Sequence, residues 1–182
     1  MDAVRVVLNY KDYESLPNDG RRYEIHDGEL SATLVPSPQH QRVIGRLFRA
    51  LEAHVETQGL GEVFIAPIDV ILSDTAIVQP DLVYLATDRL QLVSSRGIEG
   101  SPTLAVEVLS PFSVLIDRHT KFQLYARYEI PYYWIVDLES RALEAYVLSE
   151  GRYALAAKAA GEESLSPPPF GDLVLPLAPL WA

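Results

Sequence analysis

A chain of 182 residues with 48% hydrophobic and 22% charged side chains has a globular composition and length for one domain with a substantial core, so a single domain over 1–182 is expected. The absence of cysteine excludes a disulfide framework and thiolate metal sites such as zinc fingers. A formal net charge of −10 argues against general polyanion binding through cationic side chains, but is compatible with a carboxylate-rich site that bound cations neutralise.

Met1 to Arg5 lack the basic region and apolar core of a secretory signal, and no run approaches the roughly 18 to 20 apolar residues of a membrane span, so the cytoplasm is the expected location. Residues 10 to 20 read as a short helix running into a turn, punctuated by Pro17 and Gly20. In the next stretch, Arg22 to Val35, Asp27-Gly28 between strand-like residues signals a hairpin, with Glu24 three positions before the turn.

Ser37 as cap, Pro38 at the first helical position and Gly59 as stop delimit the clearest helix. Ile44, Leu47, Phe48, Leu51 and Val55 fall on one face, and His40 lies on the same side. Arg42, Arg46 and Arg49 form a stripe opposite, read as solvated surface interleaved with Glu52 and Glu56.

Residues 62 to 72 and 77 to 86 read as strands, and 103 to 109 as a buried strand. A second helix is predicted at about 115 to 129, ending before Pro131. Asp117, Lys121, Leu124, Tyr125 and Tyr128 share one of its faces, and a lysine among aromatics there needs a reason. Strands at 132–137, 142–148 and 152–157 follow, the last two joined at Ser149-Glu150-Gly151. This order predicts an α/β (α+β) fold with a mixed sheet flanked by helices. The tail, about 167–182, is proline-rich but apolar, and is expected to dock on the domain or on a partner subunit.

The chemistry concentrates between Pro80 and Lys121. Asp81 heads one apolar run, Glu107 lies inside another, and Lys121 sits on the following helix. Magnesium takes oxygen ligands, typically one or two carboxylates with several retained waters, so Asp81 and Glu107 suffice as protein ligands if their strands adjoin. An ammonium nearby then orients the nucleophilic water or offsets negative charge developing on a phosphate.

Pro80-Asp81, followed some two dozen residues later by Glu107 in Val106-Glu107-Val108, resembles the PD-(D/E)XK nuclease superfamily. A longer set looks like the Uma family of restriction-endonuclease-like proteins over about residues 10 to 180: Tyr23 to Leu30, Ser37 to His40, Pro80 to Val83, Val106 to Pro111, Asp117 with Lys121 and Tyr125, and Tyr133 to Asp137. The resemblance implies a restriction endonuclease-like core, Asp81 and Glu107 on Mg2+ or Mn2+, Lys121 in the lysine role, and DNA as substrate. The superfamily motif usually puts that lysine two residues after the acid, where this chain has Leu109, so Lys121 is its apparent replacement. Glu24 and His40 match family motif positions and are supporting candidates, as is Asp117.

Other readings stand beside these. Asp81 after a proline can simply cap a turn, and Lys121 can pair with Asp117 at i, i+4 with or without a catalytic role. His40 reads first as a hydrogen-bonded packing residue, and Glu24 as an ordinary strand acid. Glu107 has the weakest ordinary reading, because an unpaired buried carboxylate is costly. A homodimer is expected if both strands of a duplex are cut. The alternative function is a noncatalytic interaction or regulatory protein that retains the nuclease-like fold.

Overall fold

The computed structural model describes residues 6–182; Met1–Arg5, on which the expectation of no secretory signal rests, lie outside them. Among the described residues no helix is long and apolar enough to cross a membrane. Asn9 caps a short helix, α1 (Tyr10–Glu14), in a capping box with Asp12. The expected hairpin forms from β1 (Arg22–His26) and β2 (Glu29–Thr33), paired antiparallel with His26 opposite Glu29. Asp27 (φ 50°) and Gly28 (φ 83°) provide the left-handed residues that such a tight turn requires. Helix α2 (Pro38–Gln58) starts at Ser37, whose side chain accepts from the His40 N–H, and stops at Gly59 in the left-handed conformation. His40, Val43, Ile44, Leu47, Leu51 and Val55 form its buried face.

Each strand expected at 62–72 and 77–86 is cut in two. β3 (Gly61–Ile65) pairs antiparallel with β6 (Leu82–Ala86), and β4 (Val70–Ser73) with β5 (Ala76–Val78), but the two pairs belong to different sheets. The cuts fall at Ala66-Pro67 and at Pro80-Asp81. Proline has no N–H for the ladder, so the long hairpin leaves one sheet and enters the other at these points. The Ala66 N–H donates to the Asp81 carbonyl at 3.0 Å, tying the two bends together. Asp81 is thereby set at the corner between the sheets.

β7 (Val93–Ser94) and β8 (Gly97–Glu99) complete the smaller mixed sheet, in the order β2-β1-β5-β4-β8-β7. Next comes β9 (Leu104–Val108), then a turn of π-helical bonding at Ile116–Thr120 that leads into α3 (Lys121–Arg127). The helix expected at 115–129 therefore occupies the expected place but starts in π rather than α geometry. β10 (Tyr132–Asp137) returns parallel to β9, and β11 (Ala142–Ser149) and β12 (Arg152–Ala160) follow antiparallel. The larger sheet runs β12-β11-β10-β9-β6-β3. The flanked mixed sheet is thus a pair of six-stranded mixed sheets.

β9 is buried on both faces, which hides any alternation in its sequence. The alternation exists nonetheless. Leu104, Val106 and Val108 join Trp134 and Val136 in the core beneath α2, whereas Ala105 joins Tyr133 and Ile135 in the core beneath α3. Glu107 shares the parity of Ala105 and so faces the helix that carries Lys121.

The tail docks on its own chain. After β13 (Ser164–Leu165), Phe170, Leu175, Leu177 and Leu180 enter the α2-side core, and the Trp134 indole N–H donates to the Pro168 carbonyl at 2.8 Å. β14 (Leu175–Pro176) pairs with β13, and α4 (Ala178–Trp181) ends the fold. Arg42 and Arg49 are exposed as expected, but Arg46 is not simply solvated: it is half-buried and donates to the carbonyls of Leu180 and Ala182.

Candidate functional site

A pocket of about 200 Å3 opens where the two sheets meet. Its walls come from β1, the segment after β2, the start of α2, the Pro80-Asp81 corner, the end of β9, the π turn and α3. Asp81, Glu107, Lys121, Glu24, His40 and Asp117, all six candidates, line it together with Arg22. All but Arg22 are buried.

Lys121 is the hub. Its Nζ lies 2.9 Å from Glu107 Oε1, 2.9 Å from Glu24 Oε1 and 3.6 Å from Asp117 Oδ1. The i, i+4 pairing with Asp117 and the contact with Glu107 therefore coexist. The Tyr125 hydroxyl donates to the same Glu107 Oε1 at 2.7 Å. Glu24 Oε1 also accepts the Gln79 N–H at 2.6 Å, and Glu24 Oε2 lies 3.3 Å from His26 Nε2. Arg22, Glu24 and His26 share a strand face at spacing of two, which brings them to one side of β1.

Asp81 is held separately. Arg22 Nη1 donates to its Oδ1 at 2.9 Å and to the Gln79 carbonyl at 3.2 Å, while the Val108 N–H donates to Oδ2 at 2.9 Å. His40 Nε2 lies 2.6 Å from the Val108 carbonyl and 3.4 Å from Asp81 Oδ2, and its Nδ1 is buried without a hydrogen-bond partner. His40 is at once a packing residue of α2 and a wall of the pocket. The Asp81 carboxylate caps a backbone N–H, as the turn-capping reading required, but the N–H belongs to β9.

The electrostatics divide the carboxylates. Burial opposes ionisation of Asp81, but the bond from His40 and the Arg22 charge outweigh it and hold the group below the usual aspartate range. Burial likewise opposes ionisation of Glu24, yet Lys121 and His26 bring it below the usual range. Glu107 goes the other way: burial, reinforced by Asp117, Asp81 and Glu24, overcomes Lys121 and raises it well above the usual range. Burial also raises Asp117 against the pull of Lys121. For Lys121 itself burial disfavours the ammonium, but Glu107, Glu24 and Asp117 together hold it above the usual lysine range.

Around the pocket, four carboxylates (Glu24, Asp81, Glu107, Asp117) face two permanent cations (Arg22, Lys121), a surplus of two negative charges if all ionise. Hard oxygen donors with such a surplus fit a divalent cation. Among the described residues no group of three or more Asp, Glu or His side chains is arranged to hold a metal ion.

The candidate set missed Arg22 and the bond from Tyr125 to Glu107. Arg22 had a signal: it precedes Glu24 by two residues in a strand and so shares its face.

Comparison with known proteins gives the relationship. The chain is similar to the crystal structure of a "putative nuclease belonging to DUF820" from Anabaena variabilis, with 15% sequence identity, a TM-score of 0.78, and coverage of 96% of this chain and 97% of that one. At that identity the match establishes a shared fold. No match was found among curated proteins. The Uma2 family model, described as "Putative restriction endonuclease", matches residues 10–178, which takes in both sheets and every residue of the pocket, and this chain belongs to that family.

Proposed function

We propose that this protein is a metal-dependent hydrolase of phosphodiesters in DNA, acting through Mg2+ or Mn2+. The observation that carries the reading is the convergence of Asp81, Glu107 and Lys121 in one pocket. Asp81 and Glu107 would hold the cation, which when bound lowers the pKa of a water and offsets charge on the phosphate. His40 and the Val108 N–H keep the Asp81 carboxylate oriented, as outer partners of metal ligands do. Lys121, held charged by its acidic neighbours, supplies a fixed positive charge next to Glu107, where it can orient the attacking water or stabilise the departing oxygen. Tyr125 and Glu24 fix the position of that ammonium and its partner. Family membership supports the nuclease class. A homodimer in the cytoplasm, with two such sites, would serve cleavage of both strands.

The test is nicking of supercoiled plasmid with Mg2+ or Mn2+ by the wild type and by Asp81→Ala, Glu107→Ala and Lys121→Ala. Loss in all three variants is expected, and unchanged activity in all three sinks the assignment.

The pairing of Arg22 with Asp81 and of Lys121 with Glu107 favours a second reading, in which protein cations permanently satisfy the acids and the fold serves as an interaction module. Calorimetry separates the two. No divalent binding at millimolar metal favours the interaction module.

A further inference from the structure

Both oxygens of Asp81 are already engaged. Oδ2 takes the Val108 N–H and faces His40, groups fixed by the β9 backbone and by the buried start of α2. Oδ1 takes Arg22, and this partner is of a different kind. The Arg22 side chain is 22% exposed against 3% for Asp81, and it reaches over from β1 at the pocket edge. Of the three donors around Asp81 it is the one that is partly exposed, and its other bond is to the Gln79 carbonyl.

A guanidinium keeps its charge, has five N–H donors and no acceptor, and suits planar recognition of carboxylate and phosphate oxygens alike. A divalent cation that took the Asp81 Oδ1 lone pair now facing Arg22 would displace the guanidinium and leave its positive charge in the pocket beside the cation. On a chain of net charge −10, little else around the pocket is basic: Arg22 and Lys121 are the only Lys or Arg side chains among its lining residues.

We propose that Arg22 is the phosphate-binding residue of this site, stored on Asp81 Oδ1 until a divalent cation takes that oxygen and then turned onto a non-bridging oxygen of the nucleic-acid phosphate. The proposal rests on the metal-dependent reading above. It makes metal and substrate binding mutually reinforcing, since the cation frees the group that holds the phosphate. It also gives the free protein a reason for the pair: without the cation, Arg22 is what neutralises a carboxylate at the corner of the sheets.

The experiment measures two affinities on the full chain, for Mn2+ alone by calorimetry and for a short fluorescent DNA oligonucleotide in Mn2+ by anisotropy. Wild type is compared with Arg22→Gln, Arg22→Lys and Asp81→Asn, each checked for folding by its thermal melt. Arg22→Gln is expected to bind Mn2+ about five- to tenfold more tightly, the loss of one competing charged contact. The same variant is expected to bind the oligonucleotide about tenfold more weakly. Arg22→Lys, which keeps the charge but not the fork, should fall between. A merely structural role for Arg22 would weaken both affinities together, so opposite signs are the signature. Mn2+ affinity unchanged or reduced in both Arg22 variants, while Asp81→Asn loses the metal, overturns this proposal alone. Tighter Mn2+ with unaltered oligonucleotide binding overturns the phosphate role. Failure of the wild type to bind millimolar Mn2+, or full binding by Asp81→Asn, overturns the metal site and this proposal with it.

Discussion

Lys121 Nζ stands 2.9 Å from Glu107 Oε1, and the pair is shut away from solvent between α3 and β9. Removing one partner of a buried pair leaves the other charge uncompensated, at a cost of about 3 to 5 kcal/mol. Lys121→Met is expected near the lower end, about 3 kcal/mol at neutral pH, because Glu107 already titrates high and can take a proton instead. The sign of the pH dependence follows. Glu107 and Asp117 already have folded-state pKa values above their unfolded ones, and loss of the lysine, which pulls both down, raises them further. Groups shifted in that direction contribute stability at low pH that is lost as pH rises through the folded value. Urea denaturation should therefore show the variant recovering stability relative to wild type as pH falls from neutral towards about 5. A loss of the same size at both pH values would show that lost packing, not charge, dominates.

Much of the local structure was legible because single residues carry it. Ser37 and Gly59 mark the two ends of α2, and Asp27-Gly28 marks the hairpin, each through a backbone requirement that few other residues meet. The bends at Pro67 and Pro80 were not read as such, since apolar residues flank both and a strand that changes sheets keeps its hydrophobic run. For the same reason the second sheet was invisible in sequence. Glu107 was legible as an anomaly, an acid within Leu104 to Leu109, but the direction it faces depends on pairing with β10 and β6. Lys121 was legible because it shares its helical face with Leu124, Tyr125 and Tyr128. Arg22 was overlooked because the hairpin it opens is polar enough to pass as an ordinary surface strand.

The tail is integral to the core. Phe170 is buried, with its ring 4.9 Å from Tyr84 and 6.0 Å from Trp134 between centroids. Phe170→Ala should cost about 3 kcal/mol, as large-to-small core changes do. Arg46→Ala removes only hydrogen bonds to the carbonyls of a terminal turn and should cost under about 1 kcal/mol. Thermal or urea unfolding checks both. Equal losses would mean that the tail is held by Arg46 and not by its apolar side chains.

Two glycines separated by one residue, Leu60, are expected to differ sharply. Gly59 has φ 63° with open space where a Cβ would stand, so Gly59→Ala meets only the backbone cost of the left-handed conformation, about 1 to 2 kcal/mol. Gly61 has φ 141°, and a Cβ there would overlap the Leu85 carbonyl oxygen across the β3–β6 pair. Gly61→Ala must move a strand as well as strain the backbone, and should cost clearly more. Denaturation of the two variants side by side measures the difference; equal costs would show that β3 yields freely at the sheet edge.

Asp81 and Glu107, the paired metal candidates, should respond oppositely to neutralisation. The pKa of Asp81 is depressed, so its ionised form contributes stability that is present above the unfolded aspartate value and lost as pH falls through the folded one. Asp81→Asn removes that contribution, strands Arg22 and weakens the tie to the Val108 N–H, and should cost about 2 kcal/mol at neutral pH. Glu107 is raised, so folding favours its neutral form more than the unfolded chain does, and its charge adds no stability of its own. Glu107→Gln mimics that neutral form in shape, keeps an oxygen for Lys121 and Tyr125, and should change stability by no more than about 1 kcal/mol. Urea denaturation without metal tests the pair, and Mn2+ then sharpens it. If both carboxylates hold the ion, saturating Mn2+ raises the melting temperature of the wild type but of neither variant. A destabilised Glu107→Gln beside a neutral Asp81→Asn would reverse the division of charge between the two acids, and with it the choice of which one needs a cation from outside the chain.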